Sequence, residues 1–294
     1  MKCGYVAIIG RPNVGKSTLL NRLIQQKVSI TSRKPQTTRH TILGIKTEDA
    51  VQTIFVDTPG IHRKQYKAIN RLMNRAAFSI LEDVQVILWV VDTDWTEEET
   101  HILSRLQSVK VPVILVINKV DKIAPKERLL PYLKTLATRF NFMDIIPISA
   151  KHGTQVDVLE KAIVRFLPEQ PFIFDEGEVT DRSVKFLAAE IIREKLMRYL
   201  GQELPYEVAV EIDLFEETPE INGVHIAATI YVERDSQKAM VIGQRGEKLK
   251  TVGTEARLDI KKMLEKPVYL QLWVKVKSGW SDDERSLRTL GYGG

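Results

Sequence analysis

Residues 10–17 read Gly10-Arg11-Pro12-Asn13-Val14-Gly15-Lys16-Ser17 and follow directly on the apolar run Tyr5-Val6-Ala7-Ile8-Ile9. A strand that ends in a glycine-rich turn and opens a helix points several backbone N–H groups at one spot, which suits phosphate oxygens. In this G-x-x-x-x-G-K-S frame residues 10–17, with Thr18 in the first helical turn, form the cradle. Lys16 is the cation for the β- and γ-phosphates, and Ser17 offers its hydroxyl to Mg²⁺.

Three further segments occur at the ends of apolar runs, in a consistent order. Asp57-Thr58-Pro59-Gly60 follows Thr53-Ile54-Phe55-Val56. Its carboxylate is placed to reach Mg²⁺ through a water, and Gly60 to donate its N–H to the γ-phosphate. Asn118-Lys119-Val120-Asp121 follows Val113-Ile114-Leu115-Val116-Ile117. A carboxylate accepts from guanine N1–H and its 2-amino group, whereas adenine offers an acceptor at N1 and no 2-amino group. Asp121 thus selects GTP over ATP, with Asn118 bracing the site and the Lys119 stem lying across the base. Ser149-Ala150-Lys151, after Ile145-Ile146-Pro147-Ile148, places the Ala150 amide to donate to guanine O6.

A loop that carries a threonine to the metal completes such a site. The polar stretch SRKPQTTRH, residues 32–40, holds adjacent Thr37 and Thr38. Thr38 is the favoured ligand and Thr37 the alternative, since spacing does not separate neighbours. Lys16, Thr38 and Gly60 are the expected catalytic groups. The residue after Gly60 is Ile61, where a water-orienting glutamine is often found, and an isoleucine cannot align water. Slow intrinsic hydrolysis follows.

The chain of 294 residues exceeds what one core usually supports, so two domains are expected. A single cysteine, Cys3, excludes an internal disulfide and fits a reducing compartment. The start of the chain lacks a charged-then-apolar leader, and no apolar run approaches the ~18 residues of a membrane span, so neither secretion nor membrane insertion is expected. Up to residue 170, short Val/Ile-rich runs alternate with helical patterns near residues 17–25, 68–79, 96–107, 126–139 and 155–166. That spacing predicts an α/β P-loop domain, a mainly parallel sheet with helices on both faces. The runs Val84–Val91 and Val111–Ile117 lack polar alternation, as strands buried on both sides require. Pro168 and Pro171 interrupt the pattern, and residues 171–180 read as a linker.

Residues 181–294 have a different grammar. An amphipathic helix over 181–200, capped at Thr180 or Asp181, precedes an alternating run from Tyr206 with Val208, Val210, Ile212 and Leu214 on one face. A second strand spans Val224–Val232 after an Asn222-Gly223 turn. Two helices flank Gly243-Gln244-Arg245-Gly246, and a last strand covers Val268–Val276. The order α-β-β-α-α-β is that of an α+β type II KH domain. Glycines at 243 and 246 remove the Cβ atoms that would hold a nucleic-acid backbone away, so helix-end N–H groups and Arg245 can meet phosphates. The next helix turns Leu249, Val252, Ala256, Ile260 and Met263 inward, leaving Lys248, Lys250, Arg257, Lys261 and Lys262 as an RNA track. Ile242 is expected to give bases an apolar floor. Residues 175–294 hold 18 Lys and Arg against 22 Asp and Glu, yet residues 234–277 hold 11 against five. The positive field is therefore local to the groove.

Together GRPNVGKS, QTTRH, DTPG, NKVD and SAK, with VIGQRGEKLKTVGTEAR in the second part, resemble the Era family of bacterial ribosome-assembly GTPases over nearly the whole chain. The resemblance implies a monomeric switch that binds GTP and GDP and grips the 3′ end of 16S rRNA on the small (30S) ribosomal subunit in the cytoplasm. Asn13 resembles the asparagine with which related GTPases bind K⁺; a turn former after Pro12 is the alternative. A peripheral fraction on the inner face of the cell membrane is also implied, though the basic helix serves RNA equally. Two competing functions are a GTP-gated enzyme, such as one modifying tRNA, and a membrane-surface switch without RNA. Against the first, His40, His62, His101, His152 and His225 are scattered without ligand-like spacing. In the tail, Trp280 and Tyr292 either stack on RNA or pack, and packing is the favoured reading.

Overall fold

The computed structural model describes residues 1–32, 34, 37–61, 68–123, 125, 127, 129–200, 208–218, 222–283, 285 and 287. Pro35, Gln36, His62, Lys126, Tyr206 and Tyr292 lie outside the described residues. The chain forms two compact units, Met1–Thr31 with Thr38–Tyr66 and Asn70–Asp181, and Ser32–Thr37 with Lys67–Ile69 and Arg182–Gly294.

The first unit is built on a six-stranded sheet of order β2-β3-β1-β4-β5-β6. Its strands are β1 (Lys2–Ile9), β2 (Ile42–Glu48), β3 (Val51–Asp57), β4 (Val86–Val91), β5 (Val113–Ile117) and β6 (Asp144–Pro147). Only β2 runs antiparallel to its neighbour. Every residue of β4 and β5 is buried, as their unbroken aliphatic sequences require. The helices are α1 (Lys16–Ile24), α2 (Ala68–Ser79), α3 (Glu97–Leu106), α4 (Leu129–Ala137) and α5 (Val156–Val164). α3 begins where the sequence says it must: the Thr96 hydroxyl accepts from Glu98 N at 3.2 Å, and Glu99 reaches back to Thr96 N at 2.8 Å.

Residues 168–181 stay with this unit. Cys3 N donates to the Pro168 carbonyl, Ile173 N and Phe174 N both donate to Gln52 Oε1, and Ile45 N donates to the Val179 carbonyl on the open edge of β2. Phe172 and Phe174 cover Cys3, Ile45 and Ile54. The segment read as a linker is thus a strap along the first unit.

The second unit follows the expected order with α6 (Val184–Tyr199), β7 (Val208–Thr218), β8 (Gly223–Val232), α7 (Asp235–Ile242), α8 (Glu247–Leu264) and β9 (Val268–Val276). Its sheet is β7-β8-β9, antiparallel then parallel. Ile192, Leu196, Ile226, Ile230, Val252, Ala256 and Ile260 form the centre of its core. Two local readings of the sequence are corrected. The cap of α6 is Ser183, whose hydroxyl accepts from Phe186 N at 3.2 Å, while Asp181 accepts from Leu43 N. A bulge between Ile212 and Leu214 breaks the two-residue period, so Leu214 pairs with Ala227 and Phe215 takes the core position. Trp280 is fully buried, as a packing role requires.

Candidate nucleotide site and RNA groove

The motifs emerge from the carboxyl ends of β1, β3, β5 and β6, where an open parallel sheet gathers a ligand site. After β1 the loop turns through glycines at φ +148° (Gly10) and +103° (Gly15). A Cβ at Gly10 would lie 2.3 Å from the Val90 carbonyl oxygen, and one at Gly15 2.3 Å from Asn118 Nδ2, so both positions demand glycine. Val14 is buried beneath the loop, Arg11 and Pro12 are half-buried on it, and Thr18 lies half-buried in α1. Lys16 Nζ donates to the carbonyls of Gly10 and Arg11 at 2.9 and 3.0 Å. Burial lowers the Lys16 ammonium to about 8, opposed by the Asp57 carboxylate.

Ser17, Thr38 and Asp57 converge. Ser17 Oγ lies 2.7 Å from Thr38 Oγ1 and donates to Asp57 Oδ2 at 2.8 Å. The Thr37 hydroxyl instead donates to the Lys34 carbonyl at 2.7 Å, so of the adjacent threonines it is Thr38 whose hydroxyl lies beside Ser17. Asp57 is completely buried, which raises its carboxyl pKa, and its Oδ1 has no hydrogen-bond partner. Two hydroxyls around a carboxylate with one unpaired oxygen fit a hard divalent cation with its waters. Thr58 turns its hydroxyl onto the Ile8 carbonyl at 2.9 Å, and Pro59 is buried beside it. Gly60 abuts the phosphate loop, because a Cβ there would lie 2.8 Å from Pro12 Cγ. Ile61 donates its N–H to the Gly10 carbonyl and is 1 % exposed within the core.

On the base side, Asn118 Nδ2 donates to the Val14 carbonyl at 2.8 Å, and Asn118 Oδ1 accepts from Lys119 N and Ala150 N at 2.8 and 3.0 Å. The Ala150 amide expected to read guanine O6 is therefore donated to Asn118 in this structure. Asp121 accepts from Ser149 Oγ at 2.6 Å, the main reason its carboxyl sits below the ordinary value. Lys119, at φ +64°, donates to the Asn13 carbonyl and pairs with Asp92 Oδ2 at 2.5 Å. Asn13 itself holds φ +64°, which a turn former supplies. Lys151 is exposed.

Sequence reading missed the groups behind this shell. Glu99, wholly buried, accepts from Arg11 Nε at 2.6 Å and ties the phosphate loop to α3. Arg22 on α1 donates to the Ala150 and Lys151 carbonyls at 3.2 and 2.6 Å, holding the base-side loop. The helix near residues 96–107 was read from the sequence; that its Glu99 would take Arg11 was not.

In the second unit the turn joining α7 to α8 has Gly243 at φ +75°, Arg245 at +50° and Gly246 at +79°. Gln244 and Arg245 are exposed, and a Cβ at Gly246 would meet nothing within 4 Å. Lys250, Lys261 and Lys262 are exposed on α8, with Lys248 and Arg257 half-buried. Ile242 is partly buried against the unit's core.

A family described as 50S ribosome-binding GTPase matches residues 5–119, and the KH domain family matches residues 203–281. GTPase Era of Vibrio cholerae is 56% identical over 291 residues, covering 99% of this chain and 90% of that protein. GTPase Era of Glaesserella parasuis is 57% identical over 295 residues, covering 99% and 97%. Two solved structures align over all of both chains at 40% identity: a variant of Aquifex aeolicus Era bound to GDP.AlF4-, with a TM-score of 0.96, and Era in complex with MgGDPNP and nucleotides 1506–1542 of 16S ribosomal RNA, with a TM-score of 0.95. Sharing over half its residues with these GTPases along almost its full length, and carrying both a phosphate loop and a glycine-turn KH unit, the chain belongs to the Era family.

Proposed function

We propose that this chain is a GTP-driven clamp on the unpaired 3′ end of 16S rRNA, acting as a monomer in assembly of the small ribosomal subunit. It is a GTPase by family. The observation that carries the RNA half of the reading is the related structure that holds MgGDPNP and nucleotides 1506–1542 of 16S rRNA on the same fold. Support within this chain comes from the open glycine turn and the basic residues beside it.

Residues 10–18 grip the triphosphate, and Lys16 exchanges its loop carbonyls for the β/γ oxygens. Mg²⁺ is the cofactor, and when bound it offsets the charge on those oxygens. Ser17 and Thr38 would hold it directly, and Asp57 through a water. Gly60 N–H holds the γ-phosphate, so Thr38 and Gly60 sense whether that group is present. Asp121 accepts from the guanine edge, while Asn118, Lys119 and Ser149 fix its pocket. Ile61 lies in the core and orients no water, so turnover is slow without a partner or a further cation. A K⁺ ion at Asn13 is one such cation. Replacing Na⁺ by K⁺ at constant ionic strength is expected to speed turnover, and equal rates remove it.

The two functions are coupled through the segment that holds Ser32, Lys34 and Thr37. These described residues cluster with the second unit, where Arg193 on α6 donates to the Thr37 carbonyl, one residue before Thr38. Loss of the γ-phosphate frees Thr38 and with it this segment. Gly243, Gln244, Arg245 and Gly246, with Ile242, Lys248, Lys250 and Arg257, grip RNA in the GTP state and release it afterwards.

Crosslinking in cells tests the reading. Recovery at the 3′ end of 16S rRNA is expected; recovery at tRNA supports a GTP-gated modifying enzyme instead, and recovery in lipid without RNA a membrane switch. No described helix is long and apolar enough to cross a membrane, and a peripheral fraction rests on the exposed lysines of α8 alone. Cytoplasmic action accords with membership of the family.

A further inference from the structure

We propose that Ser29 is a positioning residue for the Mg²⁺ site, acting by fixing which carboxylate oxygen of Asp57 faces the metal's water; this rests on the GTP and Mg²⁺ reading above. Ser29 lies in the segment after α1 and is 1 % exposed, so its hydroxyl has no solvent to satisfy it. That hydroxyl donates to Asp57 Oδ2 at 3.0 Å, the same oxygen that accepts from Ser17 Oγ at 2.8 Å. Oδ2 is thereby occupied by two donors while Oδ1, equally buried, has none. A carboxylate free to rotate would share donors between its oxygens. This one is held with Oδ1 as its single open acceptor.

Ser29 is itself held on both sides by one side chain. Asn21 Oδ1 accepts from Val28 N and Ser29 N, both at 3.0 Å, and Asn21 Nδ2 donates to the Ser29 carbonyl at 2.6 Å. Asn21 stands on α1, the helix whose first residues are Lys16 and Ser17. One rigid element therefore supplies Ser17 to the metal and, through Asn21 and Ser29, aims the carboxylate that the metal's water must reach. Outer partners that orient metal-site groups in this way command about ten- to hundredfold in metal affinity.

The experiment is the Mg²⁺ dependence of dissociation of a fluorescent GDP from full-length Ser29→Ala, a binding measurement separate from turnover. The Mg²⁺ concentration for half-maximal slowing is expected to rise about tenfold, while dissociation in excess EDTA stays within about twofold of the parent. In an Asp57→Ala background the same substitution is expected to shift nothing further. A half-saturation unchanged from the parent overturns the proposal, as does an equal acceleration in EDTA, or a full shift retained without Asp57. Should Ser29→Ala not fold, Ser29→Cys keeps the volume with a weaker donor and must shift the Mg²⁺ midpoint in the same direction. A parent whose nucleotide release ignores Mg²⁺ altogether would instead overturn the metal reading on which the proposal stands.

Discussion

At the residue scale, the base-reading pocket yields the sharpest substitution. Asp121 accepts from Ser149 with Oδ1, and in the proposed function its Oδ2 is the acceptor for the guanine edge. Asp121→Asn replaces an acceptor by a donor, which suits the 2-oxo group of xanthine and strands the guanine 2-amino group. GTP affinity is expected to fall by about a hundredfold or more, with xanthosine triphosphate gaining in exchange, because a hydrogen-bonding site rejects a base edge that leaves its polar groups unpaired. Competition of the two nucleotides on the variant checks it, and unchanged guanine preference places the pocket elsewhere. The threonines separate in the same way. Thr38→Ala is expected to lower Mg²⁺-dependent turnover at least about tenfold. Thr37→Ala, whose hydroxyl bonds within its own loop, should stay within a few-fold. These pairs show what a linear chain discloses. Residues proposed to meet the ligand lie in contiguous motifs, so the sequence alone offers them as candidates. Glu99, Asp92 and Arg22 act through residues 88, 27 and about 128 positions away, so only the folded chain reveals them.

At the element scale, aliphatic runs gave β4 and β5 directly, because a strand buried on both faces needs no alternation to be read. β7 was legible only up to its bulge. Beyond Ile212 one extra residue inverts the faces, and nothing in the Leu214-Phe215 pair announces it. The strap over β2 was hidden for a different reason: prolines and acidic residues signal a break in periodicity, but not that Gln52 would collect the segment's amides. The glycine turn carries an element-scale prediction. A Cβ at Gly243 would lie 2.6 Å from Lys248 Cβ and 3.2 Å from Lys248 N, at φ +75°, whereas one at Gly246 meets only the backbone strain of φ +79°. Gly243→Ala is expected to destabilise the second unit by about 2–3 kcal/mol and Gly246→Ala by about 1 kcal/mol. Denaturant unfolding of the two variants checks the order; equal losses would show the turn rearranging around either methyl.

At the scale of the whole molecule, two expectations follow from joining a nucleotide switch to an RNA groove. The first concerns coupling. RNA affinity is expected to be higher with a non-hydrolysable GTP analogue than with GDP, and Arg193→Lys, which keeps the charge but loses the paired donors to Glu190 and Thr37, should narrow that difference. Equal affinities in the parent dispose of the coupling. The second concerns charge. Residues 175–294 carry more acidic than basic groups, so a domain-wide field would repel RNA, and binding must depend on the few cations beside the turn. Each phosphate met by one of these on a single strand contributes about 0.7 to the slope of log affinity against log salt. Replacing exposed Lys250 by alanine is therefore expected to weaken binding to every short RNA alike and to reduce that slope by about 0.7. Lys185→Ala, a basic residue exposed at the start of α6, is expected to leave the slope unchanged. If both substitutions moved it equally, the cations would act as diffuse charge and the groove beside Gly243 and Gly246 would not be where phosphates bind.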